Sequence, residues 1–188
     1  MLGQMTFTAM LLVGGESRRM GTDKATLMVA GERLWQRQLR LLRELEPQRL
    51  WVSARTRPAW CPGEIEVVLD EQPSRGPLSG IAAALSRLQT SHLFALAIDM
   101  PQMTGGHVKK LLGLLEPGCG VVPVNGELFE PLCAVYPCEA SVIASHALGQ
   151  GQLSLQQLVR ILREKNCIKR YCVADEEQCL YHNANAPA

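Results

Sequence analysis

Residues 8–13 (TAMLLV) form a short apolar run that stops at Gly14-Gly15. An unbroken run of this length is the pattern of a strand covered on both faces. The period then changes. Over residues 34–45, Leu34, Leu39, Leu41, Leu42 and Leu45 recur among Gln, Arg and Glu before Pro47, which predicts an amphipathic helix stopped by the proline. Residues 50–54 (LWVSA) and 65–69 (IEVVL) read as further strands, the second introduced by the Pro62-Gly63 turn signal and closed by Asp70. Pro77 suits the first turn of a helix, and Leu78, Ile81, Ala82, Ala84, Leu85 and Leu88 carry that helix to about Gln89. Residues 93–98 are another buried strand, closed by Asp99. Beyond it, Thr104 caps a helix expected to reach Leu115 and to end at Pro117-Gly118. Residues 120–124 and 132–136 read as strands, and residues 141–148 and 155–163 as helices.

Strands and helices alternate along the chain, which predicts an α/β fold of three layers, α/β/α, around a mostly parallel sheet joined by right-handed crossovers. In such sheets ligands collect beyond the carboxyl ends of the strands. Those ends carry the loop 14–24, Ser53, Asp70 and Asp99. No repeat, low-complexity stretch or linker divides the 188 residues, so one domain spanning residues 1–188 is expected.

Charge narrows the choice of ligand. With 19 basic and 18 acidic residues the formal charge is +1, which gives no electrostatic reason to expect nucleic acid or an anionic membrane as partner. A polyanionic ligand must then be held by a local concentration of charge. The apolar runs 9–13 and 93–98 are far shorter than the roughly 20 residues that span a bilayer, and the first basic residue is Arg18, so no membrane span and no cleaved leader are expected. Seven cysteines without a CxxC pair point to free thiols in a reducing cytoplasm.

The local concentration of charge is the first loop. Gly14-Gly15-Glu16-Ser17-Arg18-Arg19-Met20-Gly21-Thr22-Asp23-Lys24 combines glycines, which let backbone N–H groups approach a ligand, with two arginines and a lysine. That is the composition of a phosphate cradle. The spacing matches neither GxGxxG nor GxxxxGK[ST], because the glycines are misplaced and Asp23 separates them from Lys24.

The loop resembles the signature of the molybdenum cofactor guanylyltransferases and related nucleotidyltransferases, L-A-G-G-x-S-x-R-M-G-x-D-K, from which this chain departs only by Val13 in place of alanine. Further features of that family follow in order: Asp70 with Gly76-Pro77-Leu78-Ser79-Gly80, Asp99-Met100-Pro101, Glu130-Pro131-Leu132 and Asn183-Ala184-Asn185-Ala186-Pro187.

The resemblance implies a Rossmann-like nucleotidyltransferase domain, similar to the glycosyltransferase-A fold, that moves GMP from GTP onto molybdopterin cofactor and releases pyrophosphate. It implies Mg²⁺, held by Asp99, as cofactor. It places Leu12, Val13, Gly14 and Gly15 at the base, Arg19 and Lys24 on the phosphates, Asp70 at the nucleoside, and Gly80, Asn183 and Asn185 toward the acceptor. Partners beyond the substrates would be proteins that deliver the cofactor or mature molybdoenzymes. Nucleotidyl transfer rests on positioning and charge neutralisation, and a phosphate acceptor is already ionised, so no general base is required.

Gly14, where cytidylyl relatives carry alanine, tilts the base toward GTP. Three departures from the family keep alternatives open: Val13, Ser53 where asparagine is common, and Ala188 after Pro187 instead of an acidic residue. They keep open a noncatalytic nucleotide-binding homologue, while a CTP-dependent or sugar-phosphate nucleotidyltransferase stays an alternative because one fold supports many acceptors. Elsewhere the chemistry is bland. Cys167, Cys172 and Cys179 lack metal-site spacing and read as structural. His92, His107 and His146 are expected on the surface, and His182 adjoins Asn183. Trp35, Trp51 and Trp60 do not interleave with a basic stripe.

Overall fold

The computed structural model describes residues 5–13, 24–70, 76–151 and 154–184. The strands are β1 (Phe7–Leu12), β2 (Met28–Val29), β3 (Glu32–Arg33), β4 (Arg49–Ala54), β5 (Glu66–Leu69), β6 (His92–Ala97), β7 (Gly120–Asn125), β8 (Leu128–Phe129), β9 (Cys133–Pro137) and β10 (Ile168–Cys172). The helices are α1 (Leu34–Arg43), α2 (Pro77–Ser86), α3 (Gly105–Leu112), α4 (Ala140–Gly149) and α5 (Leu155–Glu164), with 3₁₀ segments at Lys24–Thr26 and Asp175–Tyr181.

The main sheet runs β10-β7-β9-β6-β1-β4-β5, with β8 added to β7. Parallel pairing joins β6, β1, β4 and β5, and also β10 and β7, while β9 is antiparallel to both β6 and β7. The chain leaves β1 through α1 to reach β4 and β5 on one side, then returns through α2 to β6 on the other. The direction of winding therefore reverses at β1, where the crossovers splay apart and leave a crevice at its carboxyl end.

Alternate residues of each strand point to opposite faces. Met10 and Leu12 enter a core shared with Leu78, Ile81 and Ala84 of α2, Ala144 of α4 and Leu158 of α5. Ala9 and Leu11 enter a second core with Leu34, Leu39 and Leu42 of α1 and Val108 and Leu111 of α3. The sheet is thus sandwiched, as its uninterrupted apolar runs predict. At Gly120 the backbone of β9 approaches so closely that a Cβ would drive into the Val135 carbonyl and lie 2.9 Å from its carbon, so this position of β7 admits no side chain.

Most predicted elements occur within one to three residues of their expected bounds, and the Thr104 hydroxyl accepts from His107 N–H as the cap of α3. The short strands β2, β3 and β8 and the edge strand β10 go beyond the sequence pattern. Along β10 only Ile168 is buried, and Lys169 and Arg170 face solvent. Charged residues of this kind protect an edge from further pairing and erase its apolar signature. Two histidine expectations are corrected. His92 is fully buried between Ser91 Oγ and the Cys119 carbonyl, and His107 is 3 % exposed beside Tyr181. Both adjoin or occupy apolar stretches whose packing outweighs the polarity of the ring. His146 is exposed on α4.

Candidate active site

Leu12 ends β1 between two neighbours, opposite Ser53 of β4 and Ala97 of β6. The ladder continues one step past the strand: Val13 N–H donates to the Ser53 carbonyl at 3.0 Å, and Ile98 N–H donates to the Leu12 carbonyl at 3.0 Å. A carboxylate then follows on each side. Asp70 follows β5, its N–H bonded to the Ala54 carbonyl at 3.1 Å, and Asp99 follows β6. The parallel register places these carboxylates on either side of β1 at the same sheet edge.

On the β4–β5 side the polar groups are closely fitted. Ser53 is 2 % exposed and its hydroxyl donates to Asp70 Oδ1 at 3.3 Å. Gly80, in the first turn of α2, faces this pair. A Cβ there would collide with Ser53 Oγ and stand 3.1 Å from Asp70 Oδ1 and 3.4 Å from a Leu12 methyl. Gly80 therefore lets α2 approach the strand ends without displacing the carboxylate. The resemblance grouped Gly80 with Asn183 and Asn185 toward the acceptor, whereas its nearest neighbours here are Ser53, Leu12 and Asp70, the carboxylate expected at the nucleoside.

On the β6 side, Lys24 Nζ lies 3.0 Å from Asp99 Oδ2, with the two side chains 34 % and 21 % exposed. The Asp99 turn is anchored by α1. Gln38, 1 % exposed, donates from Nε2 to the carbonyls of Ile98 at 3.3 Å and Met100 at 2.7 Å. Arg37 Nε donates to the Pro101 carbonyl at 2.7 Å. Ala184 N–H donates to the Asp99 carbonyl at 2.6 Å, so the residue after Asn183 reaches the same turn.

The structure therefore brings Leu12, Val13, Asp70 and Gly80 together on one side of the crevice, and Lys24, Asp99 and the exposed Asn183 on the other. Gly14, Gly15, Arg19 and Asn185 lie outside the described residues. Sequence reasoning missed Gln38 and Arg37. A signal existed for Gln38, because it interrupts the apolar stripe of α1 between Leu34 and Leu41–Leu42, and a lone amide on a buried face must find backbone partners. Glu130 follows β8 and adjoins the start of β9; it is partly buried, and burial pushes its carboxyl up against the opposing hydrogen bond from Asn125.

A partly exposed carboxylate beside a lysine suits Mg²⁺ better than a metal cage would. Mg²⁺ keeps several waters and binds through one or two carboxylates together with substrate phosphates. Among the described residues no group of three or more His, Cys, Asp or Glu side chains is placed to hold a metal. Asp99 is the one oxygen donor of this pair, and the Lys24 ammonium at 3.0 Å already neutralises it, so the carboxylate fits an ion delivered with a triphosphate whose oxygens can take over Lys24.

The chain is 36 % identical over 180 residues to a protein of Opitutus terrae named "Probable molybdenum cofactor guanylyltransferase", covering 94 % of this chain and 89 % of that one. It is 29 % identical over 185 residues to the "Molybdenum cofactor guanylyltransferase" of Xanthomonas euvesicatoria, covering 98 % and 92 %. The crystal structure of molybdopterin-guanine dinucleotide biosynthesis protein A from Archaeoglobus fulgidus superposes with a TM-score of 0.71 at 24 % identity, over 96 % of this chain and 93 % of that one; at this identity the likeness establishes the Rossmann-like nucleotidyltransferase fold. The model of the MobA-like NTP transferase domain matches residues 9–175, a span that runs from β1 through β10 and includes both carboxylates of the crevice, and the chain belongs to that family.

Proposed function

We propose that this protein is a molybdenum cofactor guanylyltransferase that transfers GMP from GTP to molybdopterin cofactor, forming the guanine dinucleotide and pyrophosphate. The observation that carries this reading is the Lys24–Asp99 pair at the carboxyl edge beside β1, 3.0 Å apart, in a chain whose curated relatives bear that name. Asp99 would hold Mg²⁺, which when bound would neutralise charge on the triphosphate. Lys24 leaves Asp99 for the phosphates. Asp70, oriented by the Ser53 hydroxyl, faces the nucleoside, and Gly80 keeps α2 clear of it. The Leu12–Val13 segment borders the base, and the choice of GTP over CTP rests on the glycine that follows in the sequence. An oxygen of the acceptor's terminal phosphate attacks the α-phosphorus of GTP. The bond from that phosphorus to the bridging oxygen breaks, and its electron pair leaves with pyrophosphate. No residue need remove a proton, since the attacking phosphate is already ionised.

Several features support the wider reading. Both cores share one sheet, which suits a single nucleotidyltransferase domain. All seven cysteines are free thiols, as in a reducing cytoplasm, and no described helix is long and apolar enough to cross a membrane. Proteins that deliver or receive the cofactor would complete the set of partners.

Purified protein with Mg²⁺, GTP and molybdopterin cofactor should release pyrophosphate, and CTP should substitute poorly. Equal rates with CTP would reject the base assignment. GTP binding without pyrophosphate release in the presence of acceptor would establish a noncatalytic homologue instead.

A further inference from the structure

Outside the crevice, a group of buried polar side chains ties the last described segment to α3. His107, in the first turn of α3, places Nε2 2.5 Å from the Tyr181 hydroxyl, and its Nδ1 lies 3.4 Å from Glu177 Oε1. Glu177, 7 % exposed, accepts from Lys110 Nζ at 2.8 Å and from the Tyr171 hydroxyl at 2.7 Å. Both tyrosine rings meet the imidazole edge-on. Burial holds the ring below its usual pKa, so it is neutral at pH 7. Nε2 and the Tyr181 hydroxyl share one hydrogen bond whose direction follows the tautomer, and Nδ1 is buried beside Glu177 without a hydrogen bond of its own.

Such a network is costly where apolar residues could fill the same space, and its gain is a defined geometry. The geometry defined here is specific. Tyr181 is held at His107, and three residues later Ala184 N–H is held by the Asp99 carbonyl at 2.6 Å. Asp99 leads directly into α3 through the Thr104 cap. The four points Asp99, His107, Tyr181 and Ala184 therefore close a ring, and only His182 and Asn183 lie between its last two. Three residues reach at most about 11 Å, so the exposed Asn183 is confined beside Asp99.

We infer that the His107–Tyr181 pair positions Asn183 against the phosphate-bearing acceptor, so that acceptor affinity depends on a hydrogen bond remote from the reacting atoms. His107 and Tyr181 are positioning residues here, and Asn183 is the group that meets the acceptor. The inference rests on the guanylyltransferase reading for the identity of the acceptor, and on the ring of contacts for the placement of Asn183.

The experiment compares wild type, Tyr181→Phe, His107→Leu and the double variant in pyrophosphate release with saturating GTP and Mg²⁺ and varied molybdopterin cofactor. Tyr181→Phe keeps the ring and removes the hydroxyl. It should raise the acceptor KM about tenfold, equivalent to about 1.4 kcal/mol, with kcat and GTP affinity within about twofold of wild type. The double variant should be no worse than the poorer single variant, because both remove the same bond. An unchanged acceptor KM in Tyr181→Phe, or additive effects in the double variant, would overturn the inference while leaving the activity standing. Amide hydrogen exchange at Ala184 gives a reading that needs no turnover. Exchange there should accelerate at least about tenfold in Tyr181→Phe, and unchanged protection would overturn the inference. Absence of turnover in wild type would instead sink the guanylyltransferase reading.

Discussion

Lys24 and Asp99 are 75 residues apart in the chain, and Lys24 Nζ lies 3.0 Å from Asp99 Oδ2. The lysine opens the 3₁₀ segment Lys24–Thr26 and the aspartate follows β6, the strand paired in parallel with β1. Both side chains are partly exposed, and an ion pair in that setting stabilises a fold by no more than about 1 kcal/mol. The pair therefore adds little to the stability of the fold, and its importance is what the proposed function predicts.

Lys24→Ala and Asp99→Ala are expected to separate these two roles. Each should lower the rate of pyrophosphate release at least about 100-fold, roughly 2.7 kcal/mol of transition-state stabilisation, while the unfolding midpoint moves by only a few degrees. Full activity in Asp99→Ala would remove it as a metal ligand. Under the proposed function Lys24 competes with a cation for this carboxylate, so calorimetry should show Mg²⁺ binding more tightly with GTP present than alone, and Lys24→Ala should reduce that difference.

Gly80→Ala tests the other side of the crevice. The new methyl would meet Ser53 Oγ and come within 3.1 Å of Asp70 Oδ1. The serine can rotate away, but only by giving up its bond to Asp70, a loss of about 1 kcal/mol. We expect weaker GTP binding in a thermal-shift titration with modest loss of stability, and partial recovery of stability in Ser53→Ala/Gly80→Ala. Wild-type GTP affinity in Gly80→Ala would show that the position of Asp70 does not matter to the nucleotide.

At Gly120 the obstacle is backbone. A Cβ would overlap the Val135 carbonyl, which cannot rotate aside without breaking the β7–β9 contact. Gly120→Ala should destabilise by about 3 kcal/mol or more, read as a large drop in urea midpoint or as insoluble expression. A soluble variant with an unchanged midpoint would mean that β7 and β9 are spaced more widely than described.

Acid should weaken the fold in two stages. Burial lowers the pKa of both His92 and His107 from the ordinary value of 6.5, so below about that pH the unfolded chain binds protons that the folded chain refuses, and stability falls. Glu177 is held down to about 2 from 4.5, first by its hydrogen bond from Lys110. Its contribution is present above about pH 4.5 and is lost as pH falls toward 2. Urea midpoints should therefore decline from pH 7.5 to 5.5 and again below 4.5, and Glu177→Gln should flatten the second decline. Constant stability between pH 7.5 and 5.5 would contradict the burial of the two histidines.

Much of the site is legible in the amino-acid sequence because its parts sit at strand ends, and strand ends are visible as the places where apolar runs stop. Asp70 and Asp99 each follow such a run, as does the loop that contains Lys24. Gln38 carries a fainter signal, that of an amide on an apolar stripe. His107 carries a misleading one, because polarity alone suggests the surface while Tyr171, Tyr181 and Glu177 come to cover it from more than 60 residues away.

The sequence by itself settled the alternation of strands and helices, the sandwiching of the sheet and the residues at the carboxyl edge, because each depends on periodicity within a dozen neighbouring residues. Only the tertiary structure decided that winding reverses at β1, that β9 inserts antiparallel between β6 and β7, that Gly80 closes on Ser53 and Asp70, and that Lys24 faces Asp99. Those relationships depend on strand order and register, which are set by how whole elements bury their faces against one another, and local pattern carries no record of which distant strand lies alongside.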